Sequence, residues 1–132
     1  MARTKKDLMQ SVENDYQFEQ IVKARIVKGN TLEIETENNI NIRLHDTDII
    51  KFDKSCNIIQ LNTGNWYTVT TKSRINEFIN RFTDNLIQIS IFQNKYTWYV
   101  RIYNIKTDKC IIKEYYDYMK ISSDGNIITD QN

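Results

Sequence analysis

The chain has 132 residues, and its 18 Lys and Arg against 17 Asp and Glu leave a formal net charge of +1. That length suits one domain around one core, and the near-neutral balance supplies no global field to recruit nucleic acid or anionic lipid, so any such role needs a local patch. Three Gly and no Pro exclude a linker-rich or disordered chain, whereas 11% aromatics, with eight Tyr among them, suit sheets.

Residues 1–15 are polar and of mixed charge and read as an N-terminal arm or a short helix around Asp7 to Val12; residues 16–132 read as a single α+β domain. The basic start Met1-Ala2-Arg3-Thr4-Lys5-Lys6 is followed by no apolar signal core, and no apolar run approaches the roughly 18 residues of a membrane span, so neither a secretion signal nor a membrane role is expected. From Tyr16 the pattern has period two. Val22, Ala24 and Ile26 alternate with Lys23 and Arg25, then Leu32 and Ile34 with Glu33 and Glu35, then Ile40, Ile42 and Leu44 with Asn41 and Arg43. Turns at Lys28-Gly29-Asn30 and at Asn38-Asn39, where positive φ angles are expected, make these three antiparallel strands with one dry and one wet face.

Asp48 to Asp53 and Asn57 to Leu61 read as a hairpin around Lys54-Ser55. After Gly64, the residues Ile75, Phe78, Ile79 and Phe82 fall at helical spacing, predicting an amphipathic helix over about 71–82 capped by Thr70 or Thr71. Arg74, Glu77, Asn80 and Arg81 then face water. Leu86 to Phe92 turns through Asn94-Lys95 into Tyr96 to Tyr103, and Thr107-Asp108 leads into Cys110 to Tyr116. A two-residue loop there pairs Arg101 with Glu114 and Tyr99 with Tyr116. Asp124-Gly125 precedes a last strand, Asn126 to Thr129. The segments Ile50-Lys51-Phe52…Asn57-Ile58-Ile59 and Met119-Lys120-Ile121…Asn126-Ile127-Ile128 echo one another, as a duplicated hairpin or two ordinary hairpins would.

The fold expected is α+β: a curved, mostly antiparallel sheet of about seven to nine strands with the one helix packed on it. Its core should include Val22, Ile26, Leu32, Ile34, Ile42, Leu44, Ile50, Phe52, Ile59, Leu61, Trp66, Ile75, Phe78, Ile79, Phe82, Trp98 and Val100.

Catalytic chemistry has little to draw on. His45 is the only His, and in His45-Asp46-Thr47-Asp48 it stands beside two carboxylates that suit either a metal or general-base site or an Asx-rich turn. Cys56 and Cys110 stand alone, with no second Cys or His close by in sequence, and read as two small semi-buried residues in a reducing cytosol. No phosphate-binding glycine loop, zinc-protease helix or serine elbow is present, so no cofactor, no metal and no enzymatic activity are expected.

Two surfaces are candidates for binding. Around Trp66, the helix start carries Thr70, Thr71, Lys72 and Arg74, and two cations at a helix N-terminus oppose the macrodipole unless an anion or an acidic partner compensates. The strand Tyr96 to Tyr103 presents Tyr99, Arg101 and Tyr103 on one face, which Tyr116 extends. Tyr-Arg-Tyr on a sheet serves cross-strand packing, a protein interface or base stacking.

His45-Asp46-Thr47-Asp48-Ile49-Ile50, Leu61-Asn62-Thr63-Gly64-Asn65-Trp66, Thr68-Val69-Thr70-Thr71-Lys72-Ser73-Arg74-Ile75-Asn76 and the closing Trp98-Tyr99-Val100 together resemble a group of small bacteriophage proteins. Their pattern runs His-x-Thr-Asp-Ile, Leu-x-Ser/Thr-Gly-Gly-Trp, Thr-x-Thr-Thr-Lys-x-Arg-Ile/Met-Asn and Trp-Tyr-Val, and Asn65 replaces the second glycine. The resemblance covers about residues 43–100, implies a phage setting in the host cell cytoplasm and assigns no reaction. In that setting the expectation is an accessory protein, a monomer or homodimer, that binds and inhibits a host protein or ribonucleoprotein, anti-CRISPR activity included. The alternative is direct nucleic-acid binding through Lys72, Arg74 and the Tyr/Arg face. Residues 1–42 and 101–132 lie outside the resemblance and are free to carry specificity.

Overall fold

A computed structural model describes residues 4–17 and 20–129 of the chain; the basic start Met1-Ala2-Arg3 lies outside them. In chain order the elements are α1 (Lys5–Asp15), β1 (Ile21–Lys28), β2 (Thr31–Thr36), β3 (Asn39–Leu44), β4 (Thr47–Asp53), β5 (Ile58–Leu61), α2 (Val69–Phe78) continued by a 3-10 turn (Ile79–Arg81), β6 (Ile87–Asn94), β7 (Thr97–Asn104), β8 (Lys109–Glu114), β9 (Met119–Ser122) and β10 (Ile127–Ile128). The α+β class and the antiparallel pairing agree with expectation. The strands divide between two sheets, however: seven in the order β1-β2-β3-β4-β5-β9-β10 and three in the order β6-β7-β8. Because β5 pairs directly with β9, the second sheet and α2 are an insertion between two neighbouring strands of the first.

Pairing parity sets the layers. The loop between β2 and β3 is Glu37-Asn38, with no positive φ at either Asn38 or Asn39, and it sets Leu32 opposite Arg43 and Ile34 opposite Asn41. Cross-strand partners share a face. Leu32 and Ile34 therefore point away from Ile42 and Leu44, and each side of the sheet has its own core. On one side Leu8 and Val12 of α1, with Tyr16, cover Leu32 and Ile34. A capping box starts this helix, with the Thr4 hydroxyl accepting from Asp7 N–H at 3.1 Å and the Asp7 carboxylate accepting from Thr4 N–H at 3.2 Å. On the other side, Ile42, Ile50, Ile59, Leu61, Met119 and Ile121 meet Ile75, Phe78, Ile79 and Phe82 from the helix and Ile87, Ile89, Ile91, Trp98, Val100 and Ile102 from the small sheet.

The supposed wet face of the first strands is thus dry. Arg43 and Asn41 are buried under α1, and Glu33 accepts from Arg25 at 3.2 Å with Arg81 2.5 Å from its other oxygen, an ion pair out of line for a hydrogen bond. In β4 the pairing shifts between Ile42 and Arg43, where Ile49 is the extra residue on the partner strand. This bulge keeps Asp48 beside Arg43 on the α1 side while returning Ile50 and Phe52 to the other core. In β1, register shifts at Ile21/Lys23 and Ile26/Lys28 turn the inward positions from alternating to every third residue, Ile21, Ala24 and Val27. Val22 and Ile26, expected in the core, are consequently exposed at 63% and 40%.

Helix α2 is bound to the small sheet by its amides. Asn76 donates to Ile91 C=O at 2.9 Å and accepts from Ile91 N–H at 2.7 Å; Asn80 donates to Ile89 C=O at 3.1 Å and accepts from Ile89 N–H at 2.8 Å. Residues four apart on a helix rise about 6 Å and residues two apart on a strand about 6.8 Å, so the two amides fall in step with β6 and act as its missing neighbour strand. Asn80, expected to meet only water, is at the surface but engaged. Among the described residues no helix is long and apolar enough to cross a membrane.

Replacing Asn76 or Asn80 by Ala leaves one N–H and one C=O of β6 without a partner and should cost roughly 1 kcal/mol each, since water reaches these groups. Urea denaturation should show the loss, and hydrogen exchange should show it locally. Unchanged protection of the Ile91 and Ile89 amides in the respective variants would refute the stitching role.

Candidate functional site

At the end of the β3–β4 hairpin, a cleft of about 500 Å³ opens between that hairpin and the start of α2. Leu44, His45, Asp46 and Thr47 form one wall and Trp66, Thr68, Thr70 and Thr71 the other. The two sequence features singled out separately, the His45 turn and the Trp66–Thr71 segment, are thereby brought together. His45-Asp46 is a two-residue loop in which His45 takes a positive φ of 54°.

The opposite wall is built by a clamp. Asp117 accepts from Thr63 N–H at 2.8 Å, from the Thr63 hydroxyl at 3.0 Å and from the Tyr115 hydroxyl at 2.7 Å, which ties the two ends of the inserted segment together. Gly64 follows at φ 62°, where a Cβ would overlap Thr47 Oγ1, so only glycine lets the two walls approach this closely. Asn65, standing where the phage pattern has glycine, keeps a positive φ of 70°, which Asn tolerates. Trp66 N–H donates to Thr63 C=O at 3.0 Å and Thr68 N–H to Trp66 C=O at 2.9 Å, holding the Trp66 backbone from both sides.

Trp66 was expected in the core and also on a binding surface. It is 65% exposed, and the buried indole is Trp98. Tyr67 packs edge-on against Trp98 at 5.0 Å and against Tyr115 at 6.0 Å, so the chain turns Tyr67 inward and Trp66 outward. Sequence reasoning gave Tyr67 and Val69 no role. The available signal was that adjacent residues after a tight turn cannot both enter one core, which leaves either Trp66 or Tyr67 outside.

The helix start differs from expectation in two ways. Thr68 is the cap, its hydroxyl accepting from Thr71 N–H at 3.1 Å, and Thr71 is buried against it at 3.0 Å between hydroxyls. The cations also have partners within the chain, all of them neutral. Lys72 lies 5.7 Å over the Trp98 ring with its Nζ 3.5 Å from Gln93 Oε1, and Arg74 Nε donates to Thr31 Oγ1 at 3.0 Å. Neither lines the cleft.

The His45, Asp46, Asp48 group is also divided. Asp48 points to the α1 side of the sheet, where Arg43 donates to it at 3.3 Å and the Tyr16 hydroxyl at 2.5 Å. Asn41 donates to the Tyr16 hydroxyl at 2.8 Å, and Arg43 also reaches Ser11 at 3.0 Å and pairs with Asp15. Asp46 accepts from the Ser11 hydroxyl at 2.7 Å. The carboxylates beside His45 thus anchor α1. Among the described residues no three His, Cys, Asp or Glu converge as a metal site would require.

The second candidate surface is the outer face of the small sheet, with Tyr99, Arg101 and Tyr103 in its middle strand. The β7–β8 loop has four residues, Ile105 to Asp108, because the Asn104 carboxamide accepts from Lys106 N–H at 3.0 Å and Thr107 N–H at 3.2 Å and starts the turn early. The register is therefore two residues from the expected one: Tyr99 faces Glu114 and Arg101 faces Ile112. Tyr116 lies beyond the end of β8 and does not extend the row. Tyr99 stacks on Phe92 at 5.5 Å, Arg101 lies 5.1 Å over the Tyr103 ring, and the Tyr103 hydroxyl donates to Asp108 at 2.7 Å.

Burial raises the Tyr16 and Tyr115 phenols far above their ordinary value, and the adjoining carboxylates Asp48 and Asp117 add to the effect. Both stay neutral in the folded protein at a pH where unfolded Tyr ionises near 10. The unfolded state then binds fewer protons, so stability is intact below about pH 10 and falls as pH climbs above it. An alkaline titration followed by tyrosinate absorbance should show these two phenols ionising only with unfolding. Replacing both by Phe should flatten the loss of stability, and an unaltered slope would contradict the assignment.

No curated protein and no solved structure matches this chain. A family model described as Kyanoviridae Gp96 protein matches residues 5–126, a span that takes in both helices, every strand but β10 and most of both flanks left out of the resemblance. The chain belongs to the Kyanoviridae Gp96 protein family, a family of phage proteins.

Proposed function

We propose that this phage protein is a non-catalytic binding protein that engages and blocks a host protein, alone or in a protein–nucleic-acid complex, in the host cytoplasm; interference with a defence system such as CRISPR is one form this takes. The observation that carries the reading is the rim of the cleft. Trp66 lines the cleft at 65% exposure on a backbone held by turn bonds and the Thr68 cap, and Val69, three residues on, is 77% exposed. Large apolar groups on a rigid rim beside a recess are what interface hot spots are made of, since little entropy remains to be lost on binding.

Nucleic acid is a weaker fit. On the outer sheet face Arg101 is already over a tyrosine ring, Tyr99 is stacked on Phe92, and Glu114 and Asp108 stand beside them. Carboxylates at that spacing offset the one guanidinium toward a phosphate backbone.

Tagged protein, Trp66→Ala and Val69→Asp should be compared in capture from host lysate with mass spectrometry, then by titration against the recovered protein. Loss of one buried aromatic anchor should weaken binding about tenfold or more. Thermal stability should be unchanged, because both side chains are outside the core. Equal affinity of Trp66→Ala removes the rim as the site. Recovery of nucleic acid with steep salt dependence would move the reading to the alternative.

A further inference from the structure

The two sheets have four edges, and three are protected. Edge β1 is interrupted by two register shifts and carries Lys23 and Arg25, and β10 is only two residues long. Edge β6 is closed by the Asn76 and Asn80 amides. Edge β8 has neither a bulge nor a cover, and its charges, Lys109, Lys113 and Glu114, stand toward its ends. Its six residues run in unbroken register with β7, and every one of them is exposed. Ile111 at 46% and Ile112 at 52% point to opposite faces of the strand, so the edge is apolar on both sides at its centre. Natural sheets rarely leave a flat apolar edge uncovered, because it pairs with any strand offered.

We propose that β8 pairs with β8 of a second copy of this chain, antiparallel about a two-fold axis at Ile112, joining the two small sheets into one six-stranded sheet. The hydrogen-bond phase is set by Tyr115 N–H, which donates to Trp98 C=O at 2.9 Å in register with the ladder. In an antiparallel ladder alternate residues turn their N–H and C=O to one side. Lys109, Ile111 and Lys113 therefore bond inward to β7, whereas Cys110, Ile112 and Glu114 present theirs to the free edge. A two-fold axis perpendicular to the sheet pairs residues of the same face. Centred on Ile112, it sets Ile112 against its own copy, Cys110 against the second copy's Glu114 and Ile111 against Lys113, with each outward amide and carbonyl used and no like charges opposed. Moved to Ile111, it sets Lys109 directly against Lys113, a repulsive pair. Hydrogen-bond phase requires an axis centred on a residue rather than between two, and charge then favours Ile112 over Ile111. One strand edge buries little area, so the dimer forms in a concentration-dependent way.

Sedimentation velocity from low to high micromolar protein should show a rise from monomer to dimer. Ile112→Pro removes an N–H that points out of the sheet and leaves the β7 ladder intact, which an edge strand tolerates. It should raise the dimer dissociation constant roughly tenfold or more, with an unchanged near-ultraviolet circular dichroism spectrum. Ile112→Lys, which sets two ammonium groups against each other, gives the same readout should the proline variant not fold. A nitroxide on Ile112→Cys, with Cys56 and Cys110 replaced by Ser, should show strong spin–spin broadening, because directly opposed Cα atoms lie about 5.5 Å apart. A monomer at every concentration overturns the proposal. So does a dimer that neither substitution weakens, or one whose spin label shows no broadening.

Discussion

The two-residue loop between β2 and β3 constrains everything above it. It pairs even-numbered with odd-numbered positions, and the apolar residues on both strands, Leu32 and Ile34 on one, Ile42 and Leu44 on the other, are all even. They must face opposite ways. A single layer cannot bury both rows, so the sheet needs a cover on each side. Helix α1 supplies one and the inserted segment with α2 the other. The same parity forces Asn41 and Arg43 into the side that α1 closes, which is why Arg43 is only 2% exposed and why Asp48, Asp15, Tyr16 and Ser11 gather around it. Removing either side of such a network strands a buried charge, and the packing of α1 therefore depends on ionic partners as much as on Leu8 and Val12. Two atoms, Arg43 Nε and Asn41 Oδ1, have no partner among the described residues, which lowers what the network contributes.

The second cover is held by polar bonds at defined points. Thr63 and Asp117 fasten the inserted segment where it leaves and rejoins the large sheet, and Asn76 and Asn80 fasten α2 to β6. Apolar packing between them is extensive but non-directional. The bonds supply direction. They fix where α2 starts relative to the β3–β4 hairpin, and that position is the cleft. The geometry of the candidate site is in this sense a by-product of how an insertion is moored.

Much of this was legible in the sequence. Period-two patterning located the strands of both sheets, and helical spacing located α2 within two residues at its start. What was lost depends on information that periodicity does not carry. Register shifts in β1 change an alternating pattern into one with every third residue inward, which no alternation rule detects. The Asn104 turn moved the β7–β8 register by two, and the division into two sheets follows from β5 pairing with β9, a contact between residues nearly sixty positions apart. The parity of β2 and β3 could have been read in advance from a two-residue turn; it was the assumption of one dry face that hid it.

The phage pattern can now be divided by what each residue does. Gly64 lies against Thr47, Thr68 caps α2, Thr71 bonds the cap, Asn76 pairs with β6, and Trp98 lies in the core beneath Tyr67 and Lys72. Each has a folding role that accounts for its presence. Arg43 breaks the rule against buried charge, but its partners within the chain compensate it. Trp66 breaks the rule against exposed indole, and no contact among the described residues compensates that. Its backbone is held on both sides while its ring meets water beside a recess. A residue whose position the fold enforces but whose exposure the fold does not use points to something outside the fold, and this asymmetry between Arg43 and Trp66 is the ground on which the proposed binding function is assigned to the cleft rather than to the sheet face, where the aromatic rings already have partners.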